Sequence, residues 1–179
     1  MVKSKPGQIN FGSAGVGSGT HMGGELFKVA AGLDAVHVPY RGTPEALVDT
    51  MTMRIQYWFS PMGPAMPFIS DGRLVALAVT TAQRSPAIKD VPTVAEAAIP
   101  GFDYDSWFGI LAPAATPRAL VAQLNGELVR IMTSADIRER LQAQGVEGKT
   151  STPQEFTKLV RDDVEKLRKV AIEANIRID

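Results

Sequence analysis

The first eighty residues alternate short apolar runs with amphipathic ones. "QINFGS" (8–13), "DAVHVPY" (34–40), "IQYWFS" (55–60) and "RLVALAVT" (73–80) read as strands, each bounded by Gly, Pro or polar turn residues. Between them, 20–31 and the stretch following Arg41-Gly42 repeat apolar residues at helical spacing. The second of these helices carries Pro44 in its first turn, where a missing N–H leaves no bond unmade. "PMGPAMPFISDG" (61–72) reads as a proline-rich turn with room for a short helix. Strands that are apolar at nearly every position expect cover on both faces, as in a parallel sheet between helices. The order β-α-β-α-β-α-β makes this an α/β layer architecture.

Beyond residue 80 the pattern changes. "AQRSPAIKDVPTVAEAAIPGF" is rich in turns, with a one- or two-turn helix over Val94–Ala97, and "DYDSWFGILAP" (103–113) reads as a strand broken by Pro113. A long amphipathic helix then starts at Thr116 as N-cap and Pro117, with Leu120, Leu124, Leu128 and Ile131 on one face. "ADIRERLQAQG" is a shorter helix stopped by Gly145. The last helix opens with a capping box, Thr152 and Glu155 with Pro153 between, and its apolar stripe is Phe156, Val160, Val164, Leu167 and Ala171.

Composition narrows the function more than the fold. Nineteen basic and nineteen acidic residues balance to a formal net charge of zero, without the basic excess of a nucleic-acid binder. With no cysteine there is no disulfide, no thiolate metal site and no cysteine nucleophile, and the redox compartment stays open. No apolar run approaches the ~20 residues that span a bilayer. "MVKSKPGQINFG" has two lysines but no apolar stretch after them, so it is no secretory signal. A chain complete as written is expected in the cytoplasm.

The densest chemistry lies in "FGSAGVGSGTHMGGELF" (11–27), six glycines and three hydroxyl residues leading into a helix. A phosphate-hydrolysing P-loop needs lysine after the second spaced glycine, and Ser18 stands there after Gly12 and Gly17. The dinucleotide fingerprint begins with Gly15 and Gly17 but fails at Thr20, and Asp34, the acidic residue about twenty positions on, begins a strand instead of ending one. Two readings remain. In one, backbone N–H groups and the hydroxyls of Ser13, Ser18 and Thr20 gather an anion at the helix N-terminus. In the other, the segment is a tight turn with Ser18 or Thr20 as N-cap.

Catalytic constellations are absent. His21 and His37 form no metal motif, and His37 in its apolar strand reads as a structural histidine. No G-x-S-x-G elbow is present. Asp103 and Asp105 share one strand face and suit acid–base work or a solvated surface equally in spacing, with solvation the commoner fate of aspartate. Tyr40-Arg41-Gly42 closes a strand at the edge where α/β proteins bind ligands. Arg41 there reads as a carboxylate fork or as a surface cation.

Taken together, "INFGSAGVGSGTHMGGELFKVAAGLDAVHVPYRG", "GRLVALAVTTAQRS", "DVPTVAEA" and "GFDYDSWFGILAPAATP" resemble the Bug-type solute receptors of tripartite tricarboxylate transporters. The resemblance covers practically the whole chain, in order. It implies a periplasmic-binding-protein-like, Venus-flytrap α/β sandwich that holds a small carboxylated solute between two lobes and passes it to a membrane permease, without catalysis, metal or cofactor. By that resemblance Ser13, Ala14, Gly15, Val16, Gly17 and Ser18 form one jaw, with Thr20 and His21 at the helix start. Tyr40, Arg41, Gly42 and Thr43 border the cleft. Ser60 and Pro61 fall where many members carry an acidic or small polar residue that senses the far end of the ligand; serine disfavours a ligand bearing an ammonium group.

Typical members of this family carry a signal peptide and roughly a hundred residues ahead of the segment matched by "KPGQINFG". The resemblance therefore implies one complete lobe, residues 8–105, and the C-terminal part of the other, 106–179, with a periplasmic location. Apolar stripes without their cover favour a homodimer or larger assembly. The competing expectation is an orphan lobe that binds no solute and acts only as an oligomeric or interacting protein.

Overall fold

A computed structural model describes residues 2–176. Strands β1 (Asn10–Ser13), β2 (Val36–Pro39) and β3 (Tyr57–Trp58) form a parallel sheet in the order β2-β1-β3. Parallel neighbours need crossovers, and α1 (Gly19–Ala31) and α2 (Thr43–Met51) supply them. The proline-rich segment after β3 is a helix, α3 (Met62–Ser70), with Pro61 as its N-cap residue.

The central strand sets the core. Successive side chains of β1 point to opposite faces, so Phe11 and Ser13, both fully buried, look the same way. Register places His37 and Tyr57 on either side of Phe11, and α1 covers that face. The helix descends closely because Gly23 and Gly24 carry no side chain. A Cβ at Gly24 would stand 2.3 Å from Phe11 Cε2, and one at Gly23 would stand 2.8 Å from Tyr104 Cε1.

A second cluster joins the two halves of the sequence. Met22 of α1, Val94 of α4 (Val94–Ala97), Phe102, Tyr104 and Val170 of α7 (Pro153–Glu173) are buried together, with Leu26, Leu167 and Ala171 packed against them. The expected capping box opens α7: Thr152 Oγ1 accepts from Glu155 N–H at 3.2 Å, and Glu155 Oε2 accepts from Thr152 N–H at 2.8 Å. Helices α5 (Arg118–Met132) and α6 (Ala135–Ala143) complete the chain between α4 and α7 and bury no residue fully.

Three expectations need correction. Residues 73–80 are not a strand: Val79 makes a single parallel bridge to Thr93, while Val75 and Leu77 are 79% and 71% exposed. Residues 103–113 form no strand either: Tyr104 N–H donates to Thr80 O at 2.9 Å, while Phe108, Ile110 and Leu111 are open to solvent. A strand exists only through a run of hydrogen bonds to its neighbours, and among the described residues these two segments make isolated ones, at Val79 and at Tyr104. Thr116 does not cap α5; its N–H turns back to Pro113 O at 2.9 Å, and Pro117 stands at the N-cap. The apolar stripes are only partly covered, Leu120, Leu124, Ile131 and Val164 remaining exposed.

Gly24→Ala forces a methyl group onto a ring that cannot swing away, because Phe11 is fully buried among His21, His37 and Tyr57. Overpacking of this kind costs about 1–3 kcal/mol, which outweighs the gain of up to ~1 kcal/mol in helix propensity. Gly126→Ala in α5 meets nothing within 4 Å and keeps only that gain. Urea unfolding of the two variants is expected to move in opposite directions.

Candidate functional site

Because the strands are parallel, the segments after β2, β1 and β3 emerge side by side on the carboxyl edge of the sheet. The middle one is the glycine loop. Gly15 (φ 123°) and Gly17 (φ 76°) take left-handed conformations, which only glycine adopts without strain. Ser18 is the N-cap of α1, its Oγ accepting from His21 N–H at 3.2 Å.

The loop satisfies many of its own donors. Ala14 N–H reaches Thr20 Oγ1 at 2.8 Å, Gly15 N–H reaches Ser13 Oγ at 3.1 Å, and Gly17 N–H reaches His21 Nδ1 at 3.1 Å. Ser18 gives both its N–H (3.2 Å) and its hydroxyl (2.7 Å) to Gly15 O. Those N–H groups therefore hold the turn and do not converge on an anion. What remains for a ligand is the opening of α1. The N–H groups of Gly19 and Thr20 precede the intrahelical ladder, the helix N-terminus favours negative charge, and the Ser18 and Thr20 hydroxyls lie 3.0 Å apart beside them.

Behind the loop lies a buried polar layer. His21 and Glu25 are each 3% exposed. The imidazoles of His21 and His37 stack with centroids 3.8 Å apart, and His37 Nε2 lies 2.6 Å from Ser13 Oγ. His21 Nε2 faces Glu25 Oε1 at 3.8 Å, while Lys28 Nζ holds both Glu25 oxygens at 2.8 and 2.7 Å. Burial lowers the His21 pKa, with the Glu25 charge opposing it. Burial, helped by the neighbouring His21, lowers His37 to about 4. Tyr57 hydroxyl is buried with no hydrogen-bond partner among the described residues, and burial beside the Glu25 charge pushes it up to about 12.

The other expected site residues share the edge without joining the loop's network. Tyr40 comes nearest: its ring lies over Gly12, its carbonyl backs Gly15, and its hydroxyl donates to Asp49 at 2.8 Å. Burial and that bond push its pKa to about 12. Arg41 is exposed, and its backbone N–H donates to Glu45 Oε2 at 3.1 Å. Gly42 is extended, Thr43 opens α2, and Val16 points outward. Ser60 donates to Pro61 O at 2.8 Å, next to the start of α3. Asp103 and Asp105 serve structure: Asp103 Oδ1 accepts from Ala82 N–H, and Asp105 pairs with Lys149.

Sequence reading missed three contributors. His37 read as structural yet stacks on the loop's own histidine. Glu25 was signalled by its i+4 spacing from His21. Tyr104, hidden in "FDYDSW", donates to Gly19 O at 2.7 Å and ties the loop to the second half of the sequence.

The family model for the tripartite tricarboxylate transporter family receptor matches residues 1–176. The chain belongs to that family. A Pseudomonas sp. strain P51 relative, a protein from the tcbD–tcbE intergenic region, is 33% identical over 96% of this chain and 52% of its own. Bordetella pertussis BugT is 28% identical over 99% of this chain and 55% of its own. The chain thus spans about half the length of these two curated relatives.

Solved structures agree on the fold, which is periplasmic-binding-protein-like. An R. palustris protein solved with adipate superposes with a TM-score of 0.91 at 32% identity, covering 98% of this chain and 58% of that one. MatC of Rhodopseudomonas palustris, with bound malate, gives 0.86 at 30% identity over 94% and 58%. The periplasmic binding protein BugD gives 0.81 at 25% identity over 98% and 60%. Among the described residues no helix is long and apolar enough to cross a membrane.

The buried histidines give the fold a definite acid response. Both pKa values lie below that of a free imidazole, about 6.5. Between there and about 4 the unfolded chain takes up protons that the folded chain refuses, so stability is complete above ~6.5 and falls as pH drops. Thermal melting from pH 7.5 to 4.5 is expected to show that decline, and His37→Gln is expected to flatten part of it.

Proposed function

We propose that this chain captures a small carboxylate-bearing solute at the carboxyl edge of its sheet and passes it to the membrane permease of a tripartite transporter. The observation that carries the reading is the opening of α1, where the N–H groups of Gly19 and Thr20 and the Thr20 hydroxyl lie at the helix end that favours an anion. Ser13, Ala14, Gly15, Val16, Gly17, Ser18, Thr20 and His21 build that jaw. Tyr40, Arg41, Gly42 and Thr43 flank it on one side, Ser60 and Pro61 on the other. The neighbours solved with adipate and malate support a carboxylate as the ligand class, and family membership supports a receptor role without catalysis, cofactor or nucleic acid. A periplasmic location follows the neighbour named as a periplasmic binding protein.

In this reading residues 8–105 form one lobe and 106–179 part of a second, the C-terminal half of α7 reaching back onto α1. A thermal-shift screen with adipate, malate and citrate, and with glutamate and NAD as controls, tests the binding. A ligand at a hundred times its Kd stabilises the fold by about 2.7 kcal/mol. A selective shift with one carboxylate, lost in Ser18→Phe while the circular dichroism is kept, is the expected result. A well-folded chain that no carboxylate moves would instead support the orphan lobe.

The exposed apolar residues of segments 73–80 and 103–113 are the second element of the proposal. Val75, Leu77, Phe108, Ile110 and Leu111 lie exposed outside any helix or strand, and exposed apolar side chains favour association. A formal net charge of zero offers no long-range repulsion between copies. A second copy of this chain is therefore the proposed cover. Light scattering after size exclusion is expected to give twice the chain's mass or more, and a monodisperse monomer at micromolar concentration would sink this part.

A further inference from the structure

We propose that His21 is a positioning residue whose unprotonated Nδ1 holds the glycine loop in its ligand-ready shape, so that protonation of this imidazole loosens the loop and releases the anion. The inference rests on the carboxylate reading above and adds a regulation to it. A backbone N–H can only donate, so the 3.1 Å contact from Gly17 N–H fixes Nδ1 as the acceptor. The single ring proton then sits on Nε2, toward Glu25 Oε1 at 3.8 Å. A second proton has nowhere to go but Nδ1. There it faces the Gly17 N–H donor to donor, at the apex of a turn whose next residue, Ser18, caps the helix that receives the ligand.

The groups around His21 decide which way the charge acts. On its own helix Glu25 favours the imidazolium and Lys28 opposes it, the ammonium already holding both Glu25 oxygens. From β2, His37 stacks on the ring at 3.8 Å, and two stacked imidazoles do not both carry charge. From β3, Tyr57 brings a buried neutral hydroxyl near Glu25. From β1, Phe11 and Ser13 bring no charge. On the other flank of α1, Tyr104 is bonded to Gly19 O, and Asp163 and Arg168 of α7 line a groove of about 470 Å³ that includes Gly17 and Gly19. Burial and the paired Glu25–Lys28 charges keep the imidazole neutral at rest, in line with the lowered His21 pKa. The direct loss of the Gly17 bond then sets the sign of the effect: acid weakens binding.

The test reads the loop and the ligand separately. Nitrogen-15 imidazole spectra of the ligand-free chain are expected to show His21 with a bare Nδ1 at pH 8. Hydrogen exchange is expected to show Gly17 N–H protection, corrected for intrinsic rate, lost as that nitrogen titrates. Isothermal titration with adipate and with malate then compares wild type and His21→Asn from pH 8 to 4.5. The Asn amide oxygen takes the place of Nδ1 as acceptor and does not titrate. Below the imidazole pKa the wild-type affinity is expected to fall by up to about tenfold per pH unit more than that of His21→Asn, which shares the ligand's own titration. His21→Leu, without an acceptor, is expected to bind weakly at every pH.

Several results would overturn the proposal: a His21 proton on Nδ1 at pH 8, Gly17 protection that ignores the titration, or identical pH profiles for wild type and His21→Asn. An affinity that rises in acid more steeply than in His21→Asn would also do so, by making the imidazolium an attractive charge. If neither dicarboxylate binds at any pH while Gly17 protection still follows His21, the solute reading fails and the positioning role stands. Should His21→Asn fail to fold, the tautomer and exchange measurements on the unaltered chain still decide.

Discussion

Helix α1 lies where it does because two successive residues on its inner face have no side chain. Gly24 lets the helix rest on Phe11, and Gly23 lets Tyr104 approach from the other flank. A closely seated α1 brings His21 over the sheet, where it stacks on His37, and brings the helix start within reach of Ser13 and Ala14. The glycine loop then joins β1 to that helix through left-handed turns at Gly15 and Gly17. Interiors packed at this density transmit small changes, so the loop's shape depends on contacts two turns into the helix.

That dependence explains why the site was half legible in the sequence. The β1–loop–α1 unit and the capping box of α7 are local signals, carried by residues three or four apart, and they stand in the structure as read; of the two N-cap candidates, Ser18 and Thr20, the structure has Ser18. The direction of the loop's donors is not local. Whether the Ala14, Gly15 and Gly17 N–H groups point at a ligand or back into the fold depends on Thr20, Ser13 and His21 side chains. His37 was harder still. Only the parallel register, which sets it beside Phe11, brings it to His21 sixteen residues away.

The failed strands carry the opposite lesson. Residues 73–80 and 103–113 have the apolar density of buried strands, and density records the environment a segment is suited to, not the one it finds. Val79 and Tyr104 are held by short contacts with Thr93 and Thr80 and are buried; Val75, Leu77, Phe108 and Ile110 lack such neighbours and are exposed.

The two halves of the chain nevertheless act on one another through the site. Tyr104 closes the sequence 102–107 against the first residue of α1, its hydroxyl on Gly19 O, while α7 packs Leu167, Val170 and Ala171 beneath Met22 and Leu26. Trp107, three residues on, bonds to Asp163 of the same α7. The N-terminus of α1 is therefore braced between a segment leaving the sheet unit and a helix returning to it. Any rotation of residues 106 onward relative to the sheet pulls first on Tyr104 and on α7, and both bear directly on the N-terminus of α1. A hydroxyl–carbonyl bond and a partly buried helix contact are each worth only about a kilocalorie per mole or two, an amount of the same order as a tenfold change in affinity. If the chain captures a carboxylate as proposed, that capture and the relative placement of the two halves are coupled at a scale that ordinary binding energy can shift.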